Sequence, residues 1–232
     1  MYPLTKEYPK SLLEVRGKPI LDYIVDKLEA VDEVSEIIII TNSKFIAKFR
    51  QWKKRAQAQK KLTLVDDRTR ANSDRLGAIG DVDFAINKQG IKEDLLVIGG
   101  DNLFSGSLVS FLRFAGRKKP SAAIGLYQLQ EIKDASRYGV VKLDGDKKVI
   151  NFTEKPRHPK SKLVAMCLYF IPRERLSLIK DYMKLSKKAD ATGNYIDWLK
   201  ERVDTYGFIF HGDWYDIGDL KYLTAAKNNF AH

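Results

Sequence analysis

Cysteine and histidine are scarce in this 232-residue chain, and each scarcity removes a class of function. One cysteine, Cys167, allows no internal disulfide and no thiolate metal cluster. Its apolar neighbours, Val164 to Ile171, predict a buried strand thiol and a reducing compartment. Three dispersed histidines, His158, His211 and His232, give little support to a histidine metal site or a Ser-His-Asp arrangement. No apolar run approaches the roughly 20 residues of a membrane span, and the start lacks the apolar core of a signal peptide. A soluble, cytoplasmic protein without a membrane partner is expected. Neither a Walker lysine loop nor GxGxxG is present. Any chemistry must therefore rest on carboxylates, lysines and backbone amides.

What the chain does have is apolar residues and positive charge. With 44% hydrophobic and 11% aromatic residues it can bury a substantial core. The 41 Lys and Arg exceed the 30 Asp and Glu by eleven, which invites a nucleic-acid reading. The basic residues are scattered, however, with modest clusters at Lys53 to Arg55, Lys60 to Lys61, Arg117 to Lys119 and Lys187 to Lys188. Such clusters read as solvated faces, and no nucleic-acid partner is expected. Small phosphorylated ligands suit the same positive potential.

From about residue 19 to 128, short apolar runs alternate with amphipathic stretches, the form of βα units on a mostly parallel sheet flanked by helices. Ile37-Ile38-Ile39-Ile40 is an unbroken β-branched run, which predicts a strand buried on both faces. Leu95 to Gly99, Leu62 to Val65 and Ala122 to Tyr127 are further strands. Pro19 opens a helix with Ile20, Ile24, Leu28 and Val31 on one face, and helices are also predicted over Leu76 to Asn87 and Leu108 to Phe114. After Tyr138 the pattern turns to alternation, Val140 to Leu143 and Val149 to Phe152, around the turn signal Asp144-Gly145-Asp146. A strand from Val164 to Ile171 leads through Pro172 into a helix, and the segments Tyr195 to Arg202, Phe208 to Phe210 and Leu220 to Asn229, the last a helix, complete the chain. With no linker or internal repeat, residues 1–232 read as one domain with two lobes: a nucleotide-type half to about residue 128, and a β-rich half from about 129 to 232.

Two acidic positions stand out. Leu95 to Ile98 ends in Gly99-Gly100-Asp101-Asn102, beyond the carboxyl end of a strand, where open α/β sheets bind ligands. Asp101 is a candidate Mg²⁺ ligand or the cap of the next turn, and the residues alone leave both open. In Asp213-Trp214-Tyr215-Asp216-Ile217-Gly218-Asp219, Asp219 is placed to cap the last helix, which leaves Asp216 without a local duty. One carboxylate from each lobe could then clamp one metal.

The most specific text is the start: Pro3-Leu4-Thr5, Pro9-Lys10, Leu12-Leu13 and Gly17-Lys18-Pro19. It resembles the N-terminal signature of the sugar-1-phosphate nucleotidyltransferases, the family of glucose-1-phosphate thymidylyltransferase and mannose-1-phosphate guanylyltransferase. Leu76-Gly77-Ala78 resembles that family's base-contacting segment, and Gly100-Asp101-Asn102 its metal-binding Gly-Asp pair. Arg137-Tyr138-Gly139-Val140 and Glu154-Lys155-Pro156 are similar to the sugar-pocket segments, and Trp214-Tyr215-Asp216-Ile217-Gly218 to the second metal-ligand motif. The resemblance implies a Rossmann-like (GT-A-like) fold with a β-rich sugar-binding half. It also implies the reaction: a sugar 1-phosphate attacks the α-phosphorus of a nucleoside triphosphate, and pyrophosphate leaves. By the same resemblance Asp101 and Asp216 hold Mg²⁺, Lys10 neutralises the triphosphate, and Lys155 grips the acceptor's phosphate. Each lysine also has a plain reading as solvated surface charge.

The text departs from the family at three places. The family's opening strand and glycine-rich loop would lie before Tyr2. Without that strand, two neighbouring strands would lack ladder partners, so the expectation is that Met1 is an internal methionine and the natural product is longer by about a dozen residues. Ala165-Met166-Cys167-Leu168-Tyr169 stands where the family often has Asn-Ala-Gly-Leu-Tyr, and Ala191-Thr192-Gly193-Asn194-Tyr195 where a glutamate often follows the glycine. Two other readings compete with the enzyme: a catalytically impaired nucleotide- and sugar-phosphate-binding relative, and a GT-A-type glycosyltransferase, which would use a short Asp-x-Asp metal motif and not the Pro-Lys and Gly-Lys-Pro series seen here. The oligomeric state is open, homo-oligomers included.

Overall fold

The structure, a computed structural model, describes residues 4–71, 73–185 and 191–230. Met1 to Pro3, the Lys187–Lys188 pair and His232 lie outside these residues. Helix α1 (Leu4–Glu7) and a 3-10 turn (Lys10–Leu12) lead to a small hairpin, β1 (Glu14–Val15) with β2 (Lys18–Pro19). Helix α2 (Ile20–Glu29) starts directly after Pro19 and buries Ile20, Leu21, Ile24, Val25 and Leu28 as one stripe. Strand β3 (Glu36–Thr41), helix α3 (Ile46–Lys53) and strand β4 (Lys61–Asp66) form a parallel pair with its crossover helix. Next come α4 (Ala78–Gln89), β5 (Leu95–Ile98), β6 (Asn102–Phe104), α5 (Leu108–Lys118) and β7 (Ala122–Gln128). Gly77 (φ +80°) and Gly90 (φ +65°) bracket α4, and the first sets its start two residues later than the periodicity predicts.

The predicted hairpin is β8 (Gly139–Leu143) with β9 (Val149–Glu154). Its turn is held by the Asp144 carboxylate, which accepts from the Asp146 and Lys148 amides at 2.9 and 2.8 Å. Strand β10 (Leu163–Ile171), helices α6 (Ser177–Leu185) and α7 (Thr192–Lys200), strands β11 (Thr205–Phe210) and β12 (Trp214–Asp216), and helix α8 (Leu220–Asn229) follow. Among the described residues, no helix is long and apolar enough to cross a membrane.

Backbone packing divides the chain into two units that interleave in sequence. Residues 1–75, 100–109 and 212–232 form one, and residues 76–99 and 110–211 the other. The boundary expected near residue 128 falls inside the second unit.

The first unit holds the β3–β4 pair and an antiparallel β6–β12 ladder. Its core joins Val15, Ile20 and Tyr23 to Leu103, Ile217, Leu223 and Phe230. The Tyr23 hydroxyl donates to the Val15 carbonyl at 2.8 Å, and its ring meets Phe230 edge-on at 5.5 Å. Burying each such large side chain contributes about 1.5–3 kcal/mol, and the Arg16 guanidinium adds hydrogen bonds to the Lys227 and Asn228 carbonyls at 3.5 and 3.1 Å, so apolar contact and charge together tie the ends of the unit.

The second unit is built on a sheet in the order β11-β7-β10-β8-β9, with β5 also pairing β10. Ile124, Leu126, Val141, Phe152, Tyr169 and Ile196 are among its buried core. The architecture is α/β, as predicted, but the expected mostly parallel pairing is corrected. In this sheet β7–β11 is parallel, and β10 runs antiparallel to β5, β7 and β8. The nine-residue β10 is apolar throughout, and its burial on both faces lets it sit between β5 and β7, where local periodicity would put them side by side.

Three burial expectations are also corrected, for β3, for β5, whose apolar run reads as a buried strand, and for Cys167. In β3 only Ile37 is buried, while Ile38, Ile39 and Ile40 are half-buried, because among the described residues β3 pairs with β4 along one edge alone. Strand β5 is half-buried throughout and, among the described residues, pairs with β10 alone. Cys167 is half-buried rather than buried. It lies where the β10–β7 register shifts between Ala165 and Tyr169, with φ +53°.

Candidate active site

In the first unit, β6 pairs with β12 in the register Asn102↔Asp216, and the Ile217 amide donates to the Asp101 carbonyl at 3.0 Å. Two aspartates more than a hundred residues apart are thereby placed on adjoining backbone. Both belong to this one unit, which corrects the expectation of one carboxylate from each lobe. The buried Trp214 indole donates to the Asn102 carboxamide oxygen at 2.7 Å and pins the ladder. Asp219 caps α8, accepting from the Tyr222 amide at 3.0 Å, as its position predicted.

The Lys10 ammonium stands 3.8 Å from an Asp101 carboxylate oxygen, with both side chains about one-third exposed. Gly100 lies beside Ser11: a Cβ on it would come to 3.5 Å of the Ser11 Cβ. Sequence reasoning missed Lys27. Its ammonium donates to the Ser105 and Gly106 carbonyls at 3.1 and 3.2 Å, and burial lowers its pKa. It anchors the loop that follows β6. Its place on a helix whose polar positions look like ordinary surface left no signal to find it by.

In the second unit, Leu76, Gly77 and Ala78 form the entry to α4. Gly77 is buried, with its carbonyl accepting from the Asp81 amide at 2.8 Å. Leu76 packs tightly on Gly80, where a Cβ would fall 2.9 Å from its own. Gly139, directly after Tyr138, opens β8 and pairs with Glu154, the last residue of β9, which Lys155 follows. The Lys155 amide donates to the Tyr138 carbonyl at 3.0 Å, and Lys155 itself sits at φ +44°.

The Glu154 carboxylate lies 3.7 Å from the Lys155 ammonium. Burial raises its pKa, against the opposing pull of Lys155. It is wedged between two glycines. A Cβ on Gly139 would come to 3.2 Å of its Oε2, and a Cβ on Gly193 to 2.7 Å of its Cδ. Glycine at both positions is what makes room for the acid. Beside it, the Tyr169 hydroxyl and the Thr192 Oγ1 are 3.0 Å apart, and the Cys167 Sγ lies 3.7 Å from the same Oγ1. Burial holds the Tyr169 phenol well above its ordinary pKa.

The structure thus groups Lys10, Gly100, Asp101 and Asp216 in one unit. In the other it groups Tyr138, Gly139, Glu154 and Lys155, with Leu76 to Ala78 at the head of α4. Thr192, Gly193 and Tyr169 were not among the predicted residues. The signals for them were the departures at Ala165 to Tyr169 and at Ala191 to Tyr195.

The fold is that of solved nucleotide-sugar enzymes. An apo UDP-glucose pyrophosphorylase matches 98% of this chain and 92% of its own at a TM-score of 0.78 and 17% identity. UDP-glucose pyrophosphorylase complexed with UDP-glucose matches the same shares at 0.79 and 18%. At those identities the likeness concerns the fold alone. A family model described as nucleotidyl transferase matches residues 1–232, and the chain belongs to that family. Among its relatives, the bifunctional protein GlmU of Methanocaldococcus jannaschii is 28% identical over 93% of this chain and 48% of its own length. The glucose-1-phosphate adenylyltransferase of Clostridium acetobutylicum is 28% identical over 58% of this chain and 36% of its own. The chain spans about half the length of the GlmU relatives it matches.

Proposed function

We propose that the protein transfers a nucleotidyl group from a nucleoside triphosphate to a sugar 1-phosphate, releasing pyrophosphate. The observation that carries this is the β6–β12 ladder, which sets Asp101 and Asp216 on adjoining backbone with Lys10 beside Asp101. Carboxylate oxygens suit Mg²⁺, which takes one or two of them together with substrate phosphates, so Asp101 and Asp216 would hold it. Bound there, Mg²⁺ supplies neutralising charge to the triphosphate oxygens.

The rest is positioning. An acceptor phosphate oxygen forms a bond to the α-phosphorus as the bond from that phosphorus to the bridging oxygen of pyrophosphate breaks. The attacking oxygen is already anionic, so no protein base is required. Lys10 offsets charge on the triphosphate, and Gly100 allows close approach to its backbone. Leu76, Gly77 and Ala78 present backbone to the base. Lys155 meets the acceptor's phosphate, while Glu154, next to Tyr138 and Gly139, accepts hydrogen bonds from sugar hydroxyls. We place the reaction in the cytoplasm, to which a lone half-buried thiol is suited.

Pyrophosphate release with Mg²⁺, pooled nucleoside triphosphates and pooled sugar 1-phosphates tests this. Release should require both pools and fall at least a hundredfold in Asp101→Asn and in Asp216→Asn, in proportion to the charge stabilisation each supplies. Full activity in either variant would remove that residue from the site. Nucleotide binding without Mg²⁺-dependent turnover would make the protein a binder instead.

A further inference from the structure

Resting on the acceptor-site reading above, we infer that Cys167 and Thr192 select the acceptor, admitting a sugar 1-phosphate that presents a hydroxyl to them and rejecting one that presents an acylamino group.

The argument starts from backbone. Cys167 lies in the left-handed region at φ +53°, within a strand, where any side chain is strained and glycine is not. Its carbonyl accepts from the Gly99 amide at 2.9 Å, so the unusual conformation is tied into the sheet. A residue type that resists this conformation is thus held in it, with its half-exposed side chain filling space that a glycine would leave empty.

The Cys167 Sγ points at the Thr192 hydroxyl, 3.7 Å away, and that hydroxyl is 3.0 Å from the Tyr169 phenol. Tyr169 is buried and keeps its proton, which it can donate to Thr192 Oγ1. With Tyr169 donating, the Thr192 proton turns either to the Cys167 sulfur or to a ligand. Thr192 precedes Gly193, against which the Glu154 carboxylate rests. A ligand gripped by Glu154 therefore meets one acceptor-only carboxylate, one hydroxyl able to donate, and the sulfur.

A sugar hydroxyl fits that set: it donates to Glu154, accepts from Thr192, and is small enough to clear Cys167. An acylamino group can donate its N–H to Glu154 as a hydroxyl does, but its extra heavy atoms compete with the sulfur for volume, and that rejects it.

The test is calorimetric titration of the full chain with glucose 1-phosphate and with N-acetylglucosamine 1-phosphate. Glucose 1-phosphate should bind at least about tenfold tighter, within the range that a misfitting group costs a pocket. Cys167→Gly, which suits the left-handed backbone and so should fold, should narrow the ratio to below about threefold by strengthening the acylamino ligand. Thr192→Val should weaken glucose 1-phosphate binding about tenfold while Thr192→Ser restores it, a rescue that follows the hydroxyl. Equal binding of the two ligands, or a ratio unmoved by Cys167→Gly, overturns the inference. The underlying reading has its own controls, Glu154→Gln and Lys155→Ala. If neither ligand binds, or if these two variants bind glucose 1-phosphate as well as the parent does, the acceptor site itself is misplaced and the inference falls with it.

Discussion

Replacing Gly139 with alanine probes the packing around the Glu154 carboxylate. A Cβ there would lie 2.8 Å from Cε1 of Phe152 and closer still to Cζ, inside the 3.4 Å where ordinary contact begins. Phe152 is 3% exposed and packed in the core of the second unit, so its ring has no free volume to retreat into. Overpacking of this kind costs about 1–3 kcal/mol, which in a chain of this size lowers Tm by roughly 2–12 °C. The same Cβ would stand 3.2 Å from Oε2 of Glu154, so the displaced neighbourhood should also weaken the acceptor. Thermal unfolding measures the first effect, and the KM for sugar 1-phosphate at saturating nucleoside triphosphate the second. Phe152→Leu added to Gly139→Ala should recover part of the stability, since the shortened side chain relieves the clash, and the non-additivity of the cycle isolates it. If Gly139→Ala melts with the parent, the ring is not packed as described and the reasoning fails.

Two further expectations concern buried polar groups. Among the described residues the buried Tyr195 hydroxyl has no hydrogen-bond partner, and an unsatisfied buried group of this kind costs about 1–3 kcal/mol. Tyr195→Phe should accordingly leave Tm unchanged or raise it, and a clear drop in calorimetry would show that the hydroxyl has a partner. Burial raises the Glu154 pKa above its ordinary 4.5, so the folded state holds that proton more tightly than the unfolded one. Its contribution to stability is thus present below pH 4.5 and is lost as pH rises through the higher folded value. Glu154→Gln should be more stable than the parent at pH 7, with the difference vanishing toward pH 4. An advantage independent of pH in denaturant titrations would contradict this.

Much of the candidate site was legible because its chemistry restricts residue type and its position restricts spacing. A strand running into Gly99-Gly100-Asp101 reads locally, as does the Asp219 cap of α8. Pairing over long separations does not read locally. The insertion of β10 between β5 and β7 depends on which apolar strand covers which, and hydrophobic periodicity is silent on that. Ile38 to Ile40 were overestimated for the same reason: an aliphatic run records what a strand can bury, whereas its actual cover depends on its neighbours. The wedge of Glu154 between Gly139 and Gly193 joins three distant segments through the absence of two side chains, and an absent side chain leaves little trace in a pattern search.

The β6–β12 ladder has a consequence for biosynthesis. The Trp214–Asn102 bond that pins it spans 112 positions, and at about 5–20 residues per second a ribosome takes roughly 6–20 seconds to cover that interval. Lys10 and Asp101 are synthesised first and wait for Asp216, while β3 and β4 can pair as soon as α3 has joined them. Each doubling of such a loop costs only about 0.6 kcal/mol, so the delay lies in timing rather than in stability. A nascent chain exposes the Lys10–Asp101 corner half-built until Asp216 emerges, and the β6–β12 ladder can close only after that point.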